Sequence, residues 1–310
     1  MDHFHHHSGR LRCEGVDLID LAKRVGTPAY IYSRATLAHH YRRMAAAFAP
    51  LAPLICYSVK SCGNLAVLRV LVAEGAGLDV VSGGELHRAR LAGCPPERIV
   101  YAGVGKTSEE IADALGEPDE AITGVSRIQH PPISTFNIES EQEFQAVAHV
   151  AESLDRTTTA ALRVNPDVDA HTHKFTTTGK AENKFGVDLR RAREFFKHYS
   201  GHPLVKLSGV HIHLGSPIAT VEPYVAAIGR VLALIDEVAR DGVLIDTLDL
   251  GGGFAADYRT GQSLAAADYA AAIVPLLHER VRSGRLRVIL EPGRFISGNA
   301  GVLLTRVQYV

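Results

Sequence analysis

No sign of charge dominates this chain: 33 lysines and arginines offset 34 aspartates and glutamates, for a formal net charge of −1. A nucleic-acid partner calls for a basic patch or stripe, and none is present. Long apolar runs are missing too. None reaches the roughly 18 residues of a spanning helix, and no signal-peptide pattern opens the chain. Neither a membrane nor a nucleic acid is therefore expected as a partner. The four cysteines, Cys13, Cys56, Cys62 and Cys94, lack zinc-type spacing and read as reduced thiols of a cytoplasmic protein. A GxGxxG fingerprint after the first strand of the main repeat is also absent. A doubly wound dinucleotide fold would want one.

What is present is a chain of 310 residues, 46% hydrophobic, enough for one large core or one core plus a small second domain. The run His5-His6-His7 leads into a plausible strand at Arg10–Cys13. Eight short apolar runs then end in turn or polar residues, each followed by a stretch of helical period. They span 54–60, 77–82, 99–106, 133–140, 159–166, 207–216, 245–254 and 287–295. Between them, Asn64–Glu74 places Leu65, Leu68 and Val72 on one helical face. Thr107–Glu110 and Ser140–Glu143 are capping boxes, and a helix over 221–241 stops at Gly242. Eight strand–helix alternations predict a (β/α)8 barrel. Residues 1–33 form an N-terminal segment with a strand at Ala29–Tyr32, 34–295 form the barrel, and 296–310 begin a further β-domain. The stretch Glu117–Pro132 reads as an inserted loop.

Active sites of such barrels lie at the C-terminal ends of the strands. Those ends carry Lys60, Asp79 with Ser82, Lys106, Glu139, Arg163 with Asn165, His213 with Ser216, Gly251-Gly252-Gly253, and Glu291 with Arg294. A lysine leaving an apolar strand is costly to desolvate unless paired, and its pKa then falls toward Schiff-base chemistry. In Val210–Ser216, His211 and His213 share the inward face while Val210, Ile212 and Leu214 face helices. A zinc-binding His-x-His would need further His and Asp ligands at other strand ends, which offer lysine, glycines and glutamate instead. No metal is expected. The N–H groups of Gly251–Gly253 can nest an anion such as phosphate, or the run is simply a tight turn. Glu291, followed by Pro292, can hold a cation or pair with Arg294.

Five motifs, Tyr57-Ser58-Val59-Lys60-Ser61, Leu78–Glu85, His211–Ser216, Asp249–Phe254 and Glu291-Pro292-Gly293-Arg294, occur in this order. Together they resemble the pyridoxal-phosphate decarboxylases of the ornithine/diaminopimelate group over nearly the whole chain. The resemblance implies an alanine-racemase-like barrel with pyridoxal 5'-phosphate as cofactor. It makes Lys60 the lysine that joins the cofactor covalently, His213 the histidine stacked on its ring, and Glu291 the carboxylate facing the pyridine nitrogen. It implies a phosphate cradle of Ser216, Gly251, Gly252, Gly253 and the Gly293-Arg294 backbone. Asp79, Glu85 and Arg163 become the surrounding polar network, and Arg294 also binds substrate carboxylate.

Within the group, Asn165–His173 and Glu182–Gly186 look most like the diaminopimelate branch. This implies decarboxylation of meso-diaminopimelate to L-lysine, a small amino-acid substrate and a homodimer. The family continues beyond the stretch matched here, through a β-domain with a Cys-Glu-Ser-type motif and a tyrosine, so poor activity is expected of these residues alone. Rival readings are a decarboxylase acting on ornithine, arginine or carboxynorspermidine, or a non-catalytic pyridoxal-phosphate-binding protein. A racemase would place an arginine where Glu291 stands.

Overall fold

Strand residues alternate between two environments here, and the alternation explains both the core and the site. The computed structural model describes residues 3–116, 130–169, 185–256, 258 and 263–310. Residues 117–129 of the expected insertion, and 170–184 with His171 and His173 of the branch-like stretch, lie outside the described residues.

The N-terminal segment folds as β1 (Phe4–His7), β2 (Arg10–Cys13) and β3 (Val16–Asp17), then α1 (Leu18–Val25) and β4 (Ala29–Tyr32). Asp17 caps α1 by accepting hydrogen bonds from the Ile19 and Asp20 N–H groups.

The barrel strands are β5 (Leu54–Ser58), β6 (Gly77–Val80), β7 (Ile99–Tyr101), β8 (Thr135–Ile138), β9 (Thr158–Asn165), β11 (Val205–His211), β12 (Thr247–Asp249) and β13 (Arg287–Leu290). The two-residue β10 (Val187–Asp188) adds to β9. All eight are parallel. Pairings β8–β9 and β13–β5 close the ring. Each predicted strand is present; β9 keeps its polar end through Asn165, whereas the other seven stop short of their expected ends.

Around the barrel run α2 (Arg34–Ala47), α3 (Leu65–Ala73), α4 (Gly83–Leu91), α5 (Ser108–Ala114), α6 (Glu141–Leu154), α7 (Leu189–Tyr199), α8 (Glu222–Arg240) and α9 (Ala266–Arg282). After β13 come the short α10 (Arg294–Ser297) and β14 (Gly301–Leu304). Among the described residues, no helix is long and apolar enough to cross a membrane.

Three local expectations need correction. The buried face of α3 is Val67, Leu68 and Leu71, with Leu65 and Val72 only half-buried. The Thr107–Glu110 box forms in full, whereas at α6 only half of one does. Ser140 Oγ accepts from the Glu143 N–H, but the Glu143 carboxylate turns to Lys106 and the Glu139 N–H. Finally, β14 stops at Leu304 rather than continuing to Val310.

Outward strand residues such as Ile55, Tyr57, Leu78, Val80, Tyr101, Phe136, Leu162, Val210, Leu248 and Leu290 fill the main core against the helices. Inward residues differ. Cys56, Val100 and Ile289 form a small apolar plug of their own. Above it the lumen holds Ser58, Asp79, Asn137, Arg163, His211, Asp249 and Glu291, all buried.

β4 and β14 pair antiparallel outside the barrel, with Tyr30 opposite Leu303 and Ile31 opposite Val302. Ile31, Val302 and Leu304 pack with Phe4, Leu11, Cys13, Leu18 and Leu21 in a satellite cluster.

Candidate active site

β5 ends at Ser58, and Lys60 sits in a single 3-10 turn, Val59–Ser61, at the barrel mouth. Its side chain remains 44% exposed, and Nζ lies 2.6 Å from Asp79 Oδ2 at the end of β6. Ser58 Oγ donates to the same Asp79 oxygen at 2.7 Å. Burial alone would lower the Lys60 pKa, as the sequence suggests. The charges of Asp79 and Glu291 overcome it, and the pKa is raised instead. Burial and Glu291 push the Asp79 carboxyl up, against the pull of Lys60.

Glu291 follows β13, 2% exposed, with Oε2 3.4 Å from His211 Nε2 and Oε1 accepting from Asn137 Nδ2 at 3.1 Å. Burial opposes its charge, but His211, Lys60 and Asp249 outweigh burial and hold the carboxyl well below the usual range. The alternative of a Glu291–Arg294 ion pair is not realised. Arg294 Nε donates to Ser216 Oγ at 3.0 Å, and Nη1 donates to Tyr258 Oη at 2.9 Å.

His213 lies just beyond the end of β11. Gly252 N–H donates to its Nδ1 at 3.2 Å, which fixes the ring and leaves the proton on Nε2. Burial, then Arg163 and Lys60, push its pKa well below the ordinary value, so the imidazole is neutral. Within the glycine run, Gly251 N–H donates to Asp249 Oδ1 at 2.9 Å, so two of the three N–H groups already serve side chains. A Cβ on Gly252 would meet the Glu291 carbonyl, and Gly253 has φ +101°. The run is a close backbone approach and not only a turn.

On the opposite wall, Arg163 Nη1 donates to Glu139 Oε1 at 2.7 Å and its guanidinium lies 5.0 Å from the Phe185 ring centre. Glu85 Oε2 accepts from Val81 N–H at 2.9 Å, and burial raises its pKa. Next to the mouth, a cleft of about 370 Å³ is lined by Ser61, Cys62, Tyr258 and Arg294 together with Tyr30, Tyr32 and Leu303 from the β4–β14 pair.

The site thus brings together Lys60, Asp79, Glu291 and His213, with Ser216 and Arg294 beside them. Three lumen residues escaped the sequence reading as site members. Asn137, His211 and Asp249 lie on β8, β11 and β12, each 1% exposed or less. Their signal was available: each is a polar residue at the inward parity of its strand.

An accessible amine held by a buried carboxyl, with a buried anionic glutamate nearby, suits an aldehyde cofactor with a basic ring nitrogen. Asp79 Oδ1 and both ring nitrogens of His211 are buried without hydrogen-bond partners, a polar chamber prepared for further polar contacts. The family model described as pyridoxal-dependent decarboxylase, pyridoxal binding domain, matches residues 34–298.

The chain belongs to this family.

Members similar to it include the diaminopimelate decarboxylases of Pseudomonas aeruginosa and Haemophilus influenzae. The first is 42% identical over 310 residues, covering 100% of this chain and 70% of that protein. The second is 39% identical, covering 100% of this chain and 71% of that protein. Diaminopimelate decarboxylase from Helicobacter pylori, solved in complex with L-lysine, superposes with a TM-score of 0.84 at 32% identity, covering 94% of this chain and 70% of that one. The pyridoxal-dependent decarboxylase domain therefore occupies the eight-stranded barrel described above, and pyridoxal phosphate is its cofactor.

Proposed function

We propose that this decarboxylase domain releases the α-carboxylate of meso-2,6-diaminopimelate as CO2 to give L-lysine. The observation that carries the proposal is an accessible Lys60, bonded to Asp79 and within the field of the buried, charged Glu291, in a chain 39–42% identical to diaminopimelate decarboxylases.

Pyridoxal phosphate, when bound, supplies the sink for the electron pair left behind by the departing carboxylate. The residues supply the rest. Lys60 would carry the cofactor, and Asp79 Oδ2, 2.6 Å from Nζ, holds the amine in place at the barrel mouth. Glu291, buried and anionic, would hold a proton on the cofactor's ring nitrogen. Neutral His213, braced by Gly252, offers a flat face for stacking without adding charge. Ser216, the Gly251–Gly253 run and Gly293-Arg294 would hold the phosphate, and Arg294 would also meet a substrate carboxylate. Arg163, tied to Glu139, and Glu85 would complete the polar surround of the cofactor.

The same proposal assigns 1–33 and 296–310 to a segment outside the barrel, since β4 and β14 pair with each other and not with the barrel sheet. It also includes a cytoplasmic location and a homodimer. Four free cysteines fit a reducing compartment.

CO2 release by the full-length protein should be far faster from meso-diaminopimelate than from ornithine, arginine or lysine. Faster turnover of any of those three would move the protein to another branch of the family.

A further inference from the structure

Beside Glu291 the lumen holds a second fully buried carboxyl, Asp249, with no lysine or arginine among the described residues bonded to it. His211 on β11 and Asp249 on β12 are register partners, and Asp249 is the partner of Ile289, two residues before Glu291. Asp249 is 0% exposed, His211 1% and Glu291 2%. One side-chain nitrogen or oxygen from each of the three lies within 4.8 Å of the others. Asn137 Nδ2 donates to Asp249 Oδ2 and to Glu291 Oε1, at 3.1 Å each, so a single amide nitrogen serves both carboxyl groups.

Two carboxylates this close and this dry do not both ionise. Their neighbours choose between them. Glu291 has His211 Nε2 at 3.4 Å and the field of Lys60, whereas Lys60 is bonded to Asp79. The other oxygen of Asp249 accepts only a backbone N–H, from Gly251.

We propose that Asp249 is a positioning residue, a neutral acid that donates a hydrogen bond to Glu291 and keeps that carboxylate ionised and fixed beneath the cofactor ring. This rests on the reading of Glu291 as the group facing the ring nitrogen. The proton is not consumed; it stays on Asp249 while Glu291 does its work. Titration directions agree: burial and then Glu291 raise the Asp249 carboxyl well above its usual range, while Glu291 is lowered. The titratable groups around the pair are His211, Lys60, Asp79 and the Cys56 thiol on β5, itself raised by burial and by Asp249. Unlike the carboxylate pair of an acid protease, this pair has fixed roles, since only one member faces the barrel mouth.

The first test needs no turnover. The infrared difference between wild-type full-length protein and Asp249→Asn, both without cofactor at neutral pH, should contain the carbonyl stretch of a protonated carboxylic acid lost in the variant. Its absence, with a carboxylate band lost instead, would overturn the proposal. A second test reads the holoenzyme. Asp249→Leu should lower kcat ten-fold or more and move the acid limb of its pH profile upward, because Glu291 loses its donor. Asp249→Asn, which restores a donor, should recover most of that loss and return the limb. Equal kcat and acid limb in Leu, Asn and wild-type proteins would sink the idea. Loss of activity toward meso-diaminopimelate in the wild type alone would instead strike the proposed substrate and leave the infrared result standing.

Discussion

Lys106 and Glu143 form a sealed ion pair, Nζ to Oε1 2.6 Å, with only 1% of the lysine side chain exposed. Lys106 also donates to the Gly103 and Asn137 carbonyl oxygens, so the charge is tied off on three sides. Lys60, at the same barrel mouth, is the accessible one. The two lysines look alike at strand ends in the sequence, yet they divide the labour between cohesion and chemistry.

Reduction of the pyridoxal-phosphate-loaded protein with borohydride should therefore fix the cofactor on Lys60. Lys60→Ala should abolish the label in peptide mapping. Lys106→Met should keep it but destabilise the fold by about 3–5 kcal/mol, because Glu143 is left buried and unpaired. A label on Lys106 would refute the site.

Glycine substitutions should separate the cradle from the scaffold. Gly252→Ala drives a Cβ into the Glu291 carbonyl, and spectroscopic titration should show cofactor affinity reduced roughly ten-fold or more, about 1.4 kcal/mol. Gly229, inside α8, has open space around it. Gly229→Ala should leave affinity intact and add about 0.5–1 kcal/mol of stability.

Glu291→Gln should still bind the cofactor, since the phosphate contacts and Lys60 remain. Its kcat should fall at least about ten-fold, 1.4 kcal/mol in the barrier, for want of a charge to hold the ring proton. Retained turnover would point to a racemase-like electronic arrangement.

A raised carboxyl gives stability an unusual slope with pH. Asp249 is protonated in the folded state and ionised in the unfolded chain above its ordinary value of 3.8. Unfolding then releases a proton. Its contribution declines as pH rises from there until the folded group ionises, by about 1.4 kcal/mol per pH unit. Denaturant melts of Asp249→Asn should show a shallower decline than wild type above that pH. Parallel curves would mean that Asp249 is charged in the fold.

Much of this molecule is legible without coordinates because its strand ends are punctuated. Lys60, His213, the glycine run and Glu291 stand where an apolar run stops, and eight such stops imply a barrel. Asn137 and Asp249 stay hidden because they sit among residues that read as ordinary core. Parity alone points them inward; the closed ring, with β8 on β9, β9 on β11 and β11 on β12, brings Asn137, His211 and Asp249 into one lumen. The sign of the Lys60 pKa shift was illegible for the same reason, since Asp79 and Glu291 reach it only through folding. The missing half of the α6 capping box likewise reflects Lys106, a long-range partner that captures Glu143.

The seam of the barrel has a consequence for how the protein is made. Leu54 and Ile55 pair with Ile289 and Leu290, so the first and last barrel strands meet across most of the chain. A nascent chain still emerging from the ribosome holds a sheet with two open edges, a state prone to mispairing. Such distant pairing also makes for slow folding. Lys60 leaves the ribosome early, but Glu291 arrives only with the strand that shuts the ring. Cofactor capture in full is thus a late event, and free pyridoxal phosphate in a translation reaction should protect finished barrels from proteolysis while leaving chains halted before Glu291 exposed.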